Sequence, residues 1–183
     1  NAFSLLNGGL NVTGNQVGAQ DITGSILFSS TGAGSMFSGI SCGTGSTGQG
    51  AITISNNTIG GITISGSGAP SFRGITFQSS GITASTQFTI SGNTIGSTTT
   101  ANSIQNSTNN SIIGIFGSAS QTTSSNTISN NTIANLTSSN NSTGNQVIGL
   151  QIQGSTGGIY ATTGNRSEEH TSELQSRVDI SYA

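Results

Sequence analysis

The chain has 183 residues and a formal net charge of −2, with only three basic and five acidic side chains. Six of these eight charges lie in residues 166–183, so that residues 1–165 carry only Asp21 and Arg73. This excludes a basic surface for nucleic acid and a polybasic membrane-surface helix, and no window approaches the roughly 20 consecutive apolar residues of a membrane span. We therefore expect no nucleic-acid partner and no membrane insertion.

The apolar residues favour strands over helices. The chain contains 22 Ile against 7 Leu, together with seven Phe. β-Branched and aromatic side chains fit a pleated, half-buried surface. A disordered chain would be richer in charge and proline than this one, which has a single proline, Pro70. The composition therefore predicts an all-β fold.

Two short motifs alternate along the chain. Copies of the first begin 42, 36 and 38 residues apart: NVTGNQVG at 11–18, TISNNTIG at 53–60, TISGNTIG at 89–96 and TISNNTIA at 127–134. The second has an apolar residue, any residue, Gly, and Ile or Leu, and it falls at 37–40, 72–75, 112–115 and 147–150. Two motifs in fixed order with matching periods predict a repeat array over residues 1–165, with repeats that begin near 11, 53, 89 and 127.

Each copy of the first motif predicts a short strand and then a bend. Alternation in Thr53-Ile54-Ser55 places Ile54 inside and the two hydroxyls outside. A bend at Asn56-Asn57 then returns Ile59 to the interior. Gly replaces Asn56 in two other repeats, as expected at a left-handed backbone position. The predicted core side chains are Ile54, Ile59, Ile75, Ile90, Ile95, Ile115, Ile128, Ile133 and Leu150.

One asparagine is present at the same place in every copy of the first motif. The four residues are Asn15, Asn57, Asn93 and Asn131. If the repeats stack at the roughly 4.8 Å spacing of neighbouring strands, these amides can hydrogen-bond from one coil to the next. We therefore predict an asparagine ladder.

With these Ile-rich strands, Asn-containing bends and Gly-Ile strands, residues 11–165 resemble the parallel β-helix (β-solenoid, pectate-lyase-like) repeat proteins of bacterial surfaces. The resemblance implies a right-handed coil of three short parallel sheets around an apolar interior. It also implies the ladder role for the four asparagines. On this basis we expect about four coils of 35–42 residues.

Each repeat could form one coil with a protruding loop or two small triangular coils. The distance from the Gly of the second motif to the next first motif is nearly constant. The connection after Ile59, Ile95 and Ile133 varies in length instead, which favours one coil with one variable loop. Neither end resembles a capping repeat, so we expect further coils of the same solenoid at both ends.

Residues 166–183 do not continue the array. The segment Arg166–Ser176, RSEEHTSELQS, resembles the in-frame translation of a common short-read sequencing adapter, and the closing residues Ile180–Ala183 fit its continuation. When the repeats are aligned, Asn165 takes the position of Asn126, which comes just before a Thr-Ile-Ser strand. A fifth copy of the first motif should therefore begin at residue 166. We therefore interpret residues 166–183 as a non-native tail. The alternative is a genuine acidic amphipathic helix.

The ionisable residues predict no catalytic or metal site. His170 lies in the tail with Glu168, Glu169 and Glu173, so these residues have no role if the tail is non-native. Asp21 alone cannot form the carboxylate pair of most glycoside hydrolases. Asp21 is interpreted as a turn residue, Arg73 as a solvated strand residue and Cys42 as a small buried hydrophobe. No cofactor is expected.

A regular array of hydroxyls is the one candidate surface. Thr53, Ser55, Thr89, Ser91, Thr127 and Ser129 would form a Thr-x-Ser column on the outer face of the stack. The sequence as a whole favours a non-enzymatic structural or adhesive segment of a secreted or cell-surface protein that contacts polysaccharide or cell-surface glycans. Two alternatives are a carbohydrate-active β-helix enzyme whose catalytic coils lie elsewhere and an ice-binding solenoid that uses the Thr-x-Ser face.

Overall fold

The fold is built from parallel strands. The computed structural model describes residues 3–5, 9–44, 50–79, 86–119, 125–139, 145–153 and 159–168. Within these ranges every regular element is a strand, and every strand pairing is parallel. Since each strand pairs with its equivalent in the next repeat, the chain is a parallel β-solenoid, as predicted.

The strands follow one another in the same order in each repeat. β1 (Phe3–Leu5) comes first. The first repeat contains β2 (Leu10–Thr13), β3 (Gln16–Val17), β4 (Ile26–Ser29) and β5 (Met36–Thr44). The second contains β6 (Ala51–Ser55), β7 (Thr58–Ile59), β8 (Ile62–Ser65) and β9 (Ser71–Ser79). The third contains β10 (Gln87–Ser91), β11 (Thr94–Ile95), β12 (Ile104–Asn106) and β13 (Ile112–Ala119). The fourth contains β14 (Ser125–Ser129), β15 (Thr132–Ala134), β16 (Leu136–Ser138) and β17 (Val147–Ile152), and β18 (Ile159–Thr163) and β19 (Arg166–Glu168) follow it.

These strands stack into four sheets, which we number in the order that the chain visits them. Sheet 1 is β2-β6-β10-β14-β18, sheet 2 is β3-β7-β11-β15-β19, sheet 3 is β4-β8-β12-β16, and sheet 4 is β1-β5-β9-β13-β17. Because the sheets hold four or five strands each, the chain completes three to four turns, close to the predicted number. Each repeat is one coil, which decides between the two arrangements that the sequence left open.

The number of sheets differs from the three that the resemblance implied. The additional sheet is sheet 3, and its clearest strand is Ile62–Ser65, in which Ile62 and Ile64 are fully buried. Its strands carry no common motif: they read ILFS, ITIS, IQN and LTS. They also follow the connection of variable length, which spans residues 18–25, 60–61, 96–103 and Asn135. Because the strands of sheet 3 have neither a common motif nor a fixed position in the repeat, the sequence pattern does not predict them.

The core lies inside the coil and consists mainly of isoleucine. The predicted core residues of the middle repeats are fully buried, and Leu150 in the fourth repeat is partly buried against them. Phenylalanine fills the space next to sheet 4, where the Phe37 and Phe72 rings stack with centroids 6.0 Å apart. At about 25 cal/mol per Å² of apolar area, burial of such side chains is the main stabilising term of the fold.

The glycine of the second motif has a packing role in sheet 4. A Cβ atom on Gly74 would lie 2.5 Å from the carbonyl oxygen of Gly114 and 2.8 Å from Cγ2 of Ile95 in sheet 2. Equivalent close approaches occur at Gly39 and Gly114. The column therefore has room only for glycine, because the isoleucines of sheet 2 pack directly against its backbone.

Two loops of the variable connection meet over the second repeat. The Thr100 hydroxyl donates to the carbonyl oxygen of Gln20 at 2.9 Å, which joins loop 96–103 to loop 18–25. A Cβ atom on Gly60 would lie 2.5 Å from the Gln20 side-chain amide. The two longer loops therefore lie over the Gly60-Gly61 connection, and the Gln20 side chain leaves no room for a side chain at residue 60.

Candidate functional site

The asparagine ladder runs along the corner between sheets 1 and 2. The Nδ2 group of Asn57 donates to Oδ1 of Asn93 at 2.9 Å, and Asn93 donates to Asn131 at the same distance. Each Oδ1 also accepts the backbone N–H of the preceding ladder residue, at 3.0 Å in both cases. The second Nδ2 hydrogen of Asn93 goes to the carbonyl oxygen of Ile54 at 2.9 Å. Every polar group of this buried amide is therefore paired.

The ladder has a fifth member, Asn165. Its Oδ1 accepts from Nδ2 of Asn131 at 2.9 Å, and its own Nδ2 donates to the carbonyl oxygen of Ile128 at 2.8 Å. The register predicted for Asn165 was wrong, since β14 and β18 pair Asn126 with Tyr160 and place Asn165 beside Asn131. The fifth copy of the first motif thus reads ATTGNRSE at 161–168, and Gly164-Asn165 is the short segment by which it can be recognised.

The bend before each ladder residue is left-handed. Asn56 and Asn130 have φ angles of 53° and 54°, and the glycines at the same place have φ angles of 66° at Gly14, 63° at Gly92 and 63° at Gly164. Residues of these two types adopt this conformation at the smallest cost. At this bend the chain passes from sheet 1 to sheet 2. Ile54 and Ile59 therefore both point into the core, as predicted.

The predicted hydroxyl array forms a regular outward face on sheet 1. Thr53, Thr89 and Thr127 pair in register, and so do Ser55, Ser91 and Ser129. All six side chains are partly exposed, while the isoleucine between each pair is fully buried. We call these six residues the hydroxyl face. On sheet 2 the column Thr58, Thr94 and Thr132 faces outward in the same way.

The two charged residues of the repeat array lie on different parts of the solenoid. Asp21 is exposed in the bend that leads from sheet 2 to sheet 3, as predicted. Arg73 lies on the outward face of β9, opposite the buried Phe72, but it is half-buried instead of solvated. Its guanidinium carbon lies 3.6 Å from the ring centroid of Phe116, which accounts for the difference. Partial burial lowers the pKa of Arg73.

Several buried polar side chains were not predicted from the sequence, among them Asn126, Asn106 and Thr108. Asn126 occupies the inward column of sheet 1 between Phe88 and Tyr160. Its Oδ1 accepts the backbone N–H of Phe88 at 3.1 Å, while its Nδ2 has no partner. Asn106 and Thr108 form a second polar cluster between sheets 3 and 4, where both donate to the carbonyl oxygen of Pro70 at 3.1 and 2.9 Å. Their sequence context differs from the ladder motif, so no pattern identified them.

Cys42 is a buried thiol on the inward face of β5, as predicted, and burial raises its pKa from the ordinary value of 9.0. We expect it to react with a thiol reagent at pH 8 only slowly in the folded protein and rapidly in denaturant. The fold favours the neutral thiol, so its contribution to stability should be constant at neutral pH and decrease as the pH rises through 9.0. Reaction kinetics with and without denaturant test this, and rapid labelling of the native protein would contradict it.

The described residues hold no group of three or more His, Cys, Asp or Glu side chains that could bind a metal ion. Among them there is also no helix that is long and apolar enough to cross a bilayer. Of the tail, the structure describes only Arg166–Glu168, so His170, Glu169 and Glu173 lie outside the described residues. Scans against protein-family models and searches of curated proteins and solved structures find no match.

Proposed function

We propose that this chain is a non-catalytic segment of a secreted or cell-surface β-solenoid protein, with a structural or adhesive role, and that its outer surface contacts glycans. The hydroxyl face carries the proposal. It presents hydroxyl groups at the strand spacing of about 4.8 Å along the stack and about 7 Å along each strand. Side chains of this kind exchange hydrogen bonds with sugar hydroxyls without the desolvation of a charge.

The small number of ionisable side chains in the repeat array supports a structural role. Asp21 and Arg73 are the only charged residues before residue 166, and they lie on different sides of the coil. Among the described residues no histidine lies beside the buried Cys42 thiol, and the one His of the chain, His170, falls outside them. Acid–base or nucleophilic chemistry needs neighbouring groups of this kind.

We also propose that further coils of the same solenoid cover both ends of the stack. Inward residues of the first repeat, including Val12 and Val17, are only partly buried, whereas Ile54 and Ile59 beneath them have no exposed surface. The ladder amide of Asn15 is likewise exposed at its end of the column. Apolar surface and open strand edges of this kind favour stacking of another coil.

Replacement of all three threonines of the hydroxyl face, Thr53, Thr89 and Thr127, by Val is expected to weaken glycan binding about tenfold. Valine keeps the shape and the strand propensity but removes the hydroxyl, so three hydrogen bonds of about 0.5 kcal/mol each are lost. Binding of the full chain to a glycan array identifies the ligand, and titration with that ligand measures the effect.

The matched control is the same triple substitution at Thr58, Thr94 and Thr132 on sheet 2. It removes an equal number of outward hydroxyls from a neighbouring face and should leave the affinity within twofold. Equal affinities for both triple variants and the unmodified chain would contradict the proposed role of the hydroxyl face.

Two other functions use the same observations. The in-register Thr-x-Ser column favours ice binding as a second candidate, and the absence of thermal hysteresis and of ice-recrystallisation inhibition would eliminate it. The parent protein could instead be a carbohydrate-active enzyme with its catalytic coils elsewhere. A complete reading frame with Asp, Lys, Arg or His clustered on one later face would favour the enzyme.

We propose that the tail from Arg166 onward is the translated sequencing adapter. In β19, Arg166 and Ser167 take the places that Thr132 and Ile133 have in β15. A polar serine therefore stands in the isoleucine column at the second residue of the tail, next to a ladder residue that still fits the array. Sequencing of the source locus across codon 166 tests this, and a genomic sequence that encodes RSEEHTSELQS would refute it.

A further inference from the structure

Arg73 is fixed on the outer face of sheet 4 by an aromatic ring. Within the sheet it pairs with Ser38 of β5 on one side and with Ile113 of β13 on the other. Its guanidinium lies over Phe116, which is 3 % exposed. Because the N–H groups lie in the plane of the guanidinium, a contact between its face and the ring leaves them able to donate to a ligand.

Among the described residues Arg73 has no counter-charge. The only ion pair there joins Arg166 and Glu168 on sheet 2, and Asp21 lies on the connection between sheets 2 and 3. No hydrogen bond from the guanidinium to a described residue accompanies the stacking contact. The partly exposed guanidinium is therefore open to pair with the anionic group of a ligand.

Polar side chains lie on the same outward face of sheet 4 as this cation. Ser38 donates its hydroxyl to Thr76 Oγ1 at 3.4 Å, and Ser41 and Gln151 lie in the same outward column as Thr76. Ser38, Ser41 and Gln151 are partly exposed. A fixed guanidinium flanked by hydroxyl and amide groups has the donors for one acidic group and for the neutral hydroxyls next to it.

We propose that Arg73 and its polar neighbours on sheet 4 bind an acidic polysaccharide, with the guanidinium paired to a carboxylate or sulfate group and the Ser38, Ser41 and Gln151 side chains paired to sugar hydroxyls. The inference rests on the proposed glycan contact and adds a second face and a ligand class to it. Arginine suits this role because its planar fork binds two oxygens of one anion.

The test measures binding of the full chain to dextran, carboxymethyl-dextran and dextran sulfate, which share one backbone, alongside a glycan array with neutral and acidic saccharides. We expect the acidic polymers to bind more tightly than dextran, with an affinity that falls as salt is added. Arg73→Gln should weaken acidic binding at least about tenfold, since hydrogen bonds to charged groups are the strong ones. Arg73→Lys should recover only part of the affinity, because it keeps the charge but loses the fork.

Gln105→Glu on the outward side of sheet 3 is the control, because it changes the net charge by the same amount as Arg73→Gln at a distant place. Unfolding temperatures of all variants verify that the fold is kept. Equal losses in Arg73→Gln and Gln105→Glu, or equal binding of neutral and acidic polymers, would overturn the Arg73 site and leave the glycan contact in place. If the chain binds no saccharide on the array and none of the polymers, the Arg73 site and the glycan contact are both overturned. If Arg73→Gln loses binding but the threonine-to-valine variant does not, only the role of the hydroxyl face is overturned.

Discussion

Substitution of Asn93 by Ala is expected to lower the free energy of unfolding by about 3 kcal/mol or more. The change removes an amide that makes four hydrogen bonds in the middle of the ladder, where Asn93 has no exposed surface. It leaves the backbone N–H and Nδ2 of Asn57, the carbonyl oxygen of Ile54 and Oδ1 of Asn131 each without one partner. Buried groups that lose a partner cost about 1–3 kcal/mol each. Chemical and thermal unfolding followed by circular dichroism measure the loss.

The control for this prediction is Asn15→Ala at the end of the same ladder. Asn15 is exposed, and after the change Oδ1 of Asn57 still accepts the backbone N–H of residue 15 at 2.9 Å. We therefore expect a loss below about 1 kcal/mol, the size of one hydrogen bond with access to water. Similar losses at both positions would show that the ladder does not depend on the burial of its amides.

Substitution of Gly74 by Ala is expected to destabilise the protein by about 2–3 kcal/mol, as usual for an overpacked core. The added methyl group would lie 2.5 Å from the Gly114 carbonyl oxygen and 2.8 Å from a methyl carbon of Ile95. The methyl group has little room to move, because the backbone of the next strand and a fully buried isoleucine lie against it. Thermal unfolding measures the change.

Gly149→Ala provides the comparison within the same motif. The nearest atom to a Cβ there is Cδ1 of Ile133 at 3.7 Å, which is ordinary contact. Since alanine also lowers the entropy of the unfolded chain, this substitution should be neutral or stabilise the protein by up to about 1 kcal/mol. Equal destabilisation at both glycines would contradict the close packing between sheets 2 and 4.

Fixed spacing explains which parts of the fold could be predicted. The ladder asparagines, the inward isoleucines and the Thr-x-Ser column recur at one place in the first motif, and each position carries a distinct physical requirement. Sheet 3 could not be predicted in this way, because its strands follow loops of different length and share no motif. The fifth copy at 161–168 was misplaced because Thr162 and Ser167 replace the isoleucines that mark the register.

The candidate site was predictable only in part for a related reason. Outward hydroxyls follow from alternation in a strand, which is a local property. The position of Arg73 over Phe116 depends on residues 43 positions apart that meet only when β9 pairs with β13. The unpaired Nδ2 group of Asn126 likewise depends on the inward position of this residue between Phe88 and Tyr160.

By itself, the sequence determined that this protein is a repeat array of strands with an isoleucine interior, an asparagine ladder and almost no charge. These properties follow from period, alternation and residue type, which need no knowledge of what lies across the core. Only the tertiary structure decided that each repeat forms one coil of four sheets, that glycine in sheet 4 is required by the isoleucines of sheet 2, and that Arg73 is held half-buried on a ring. Those features arise from contacts between strands that no local pattern encodes, because loops of variable length separate them along the chain.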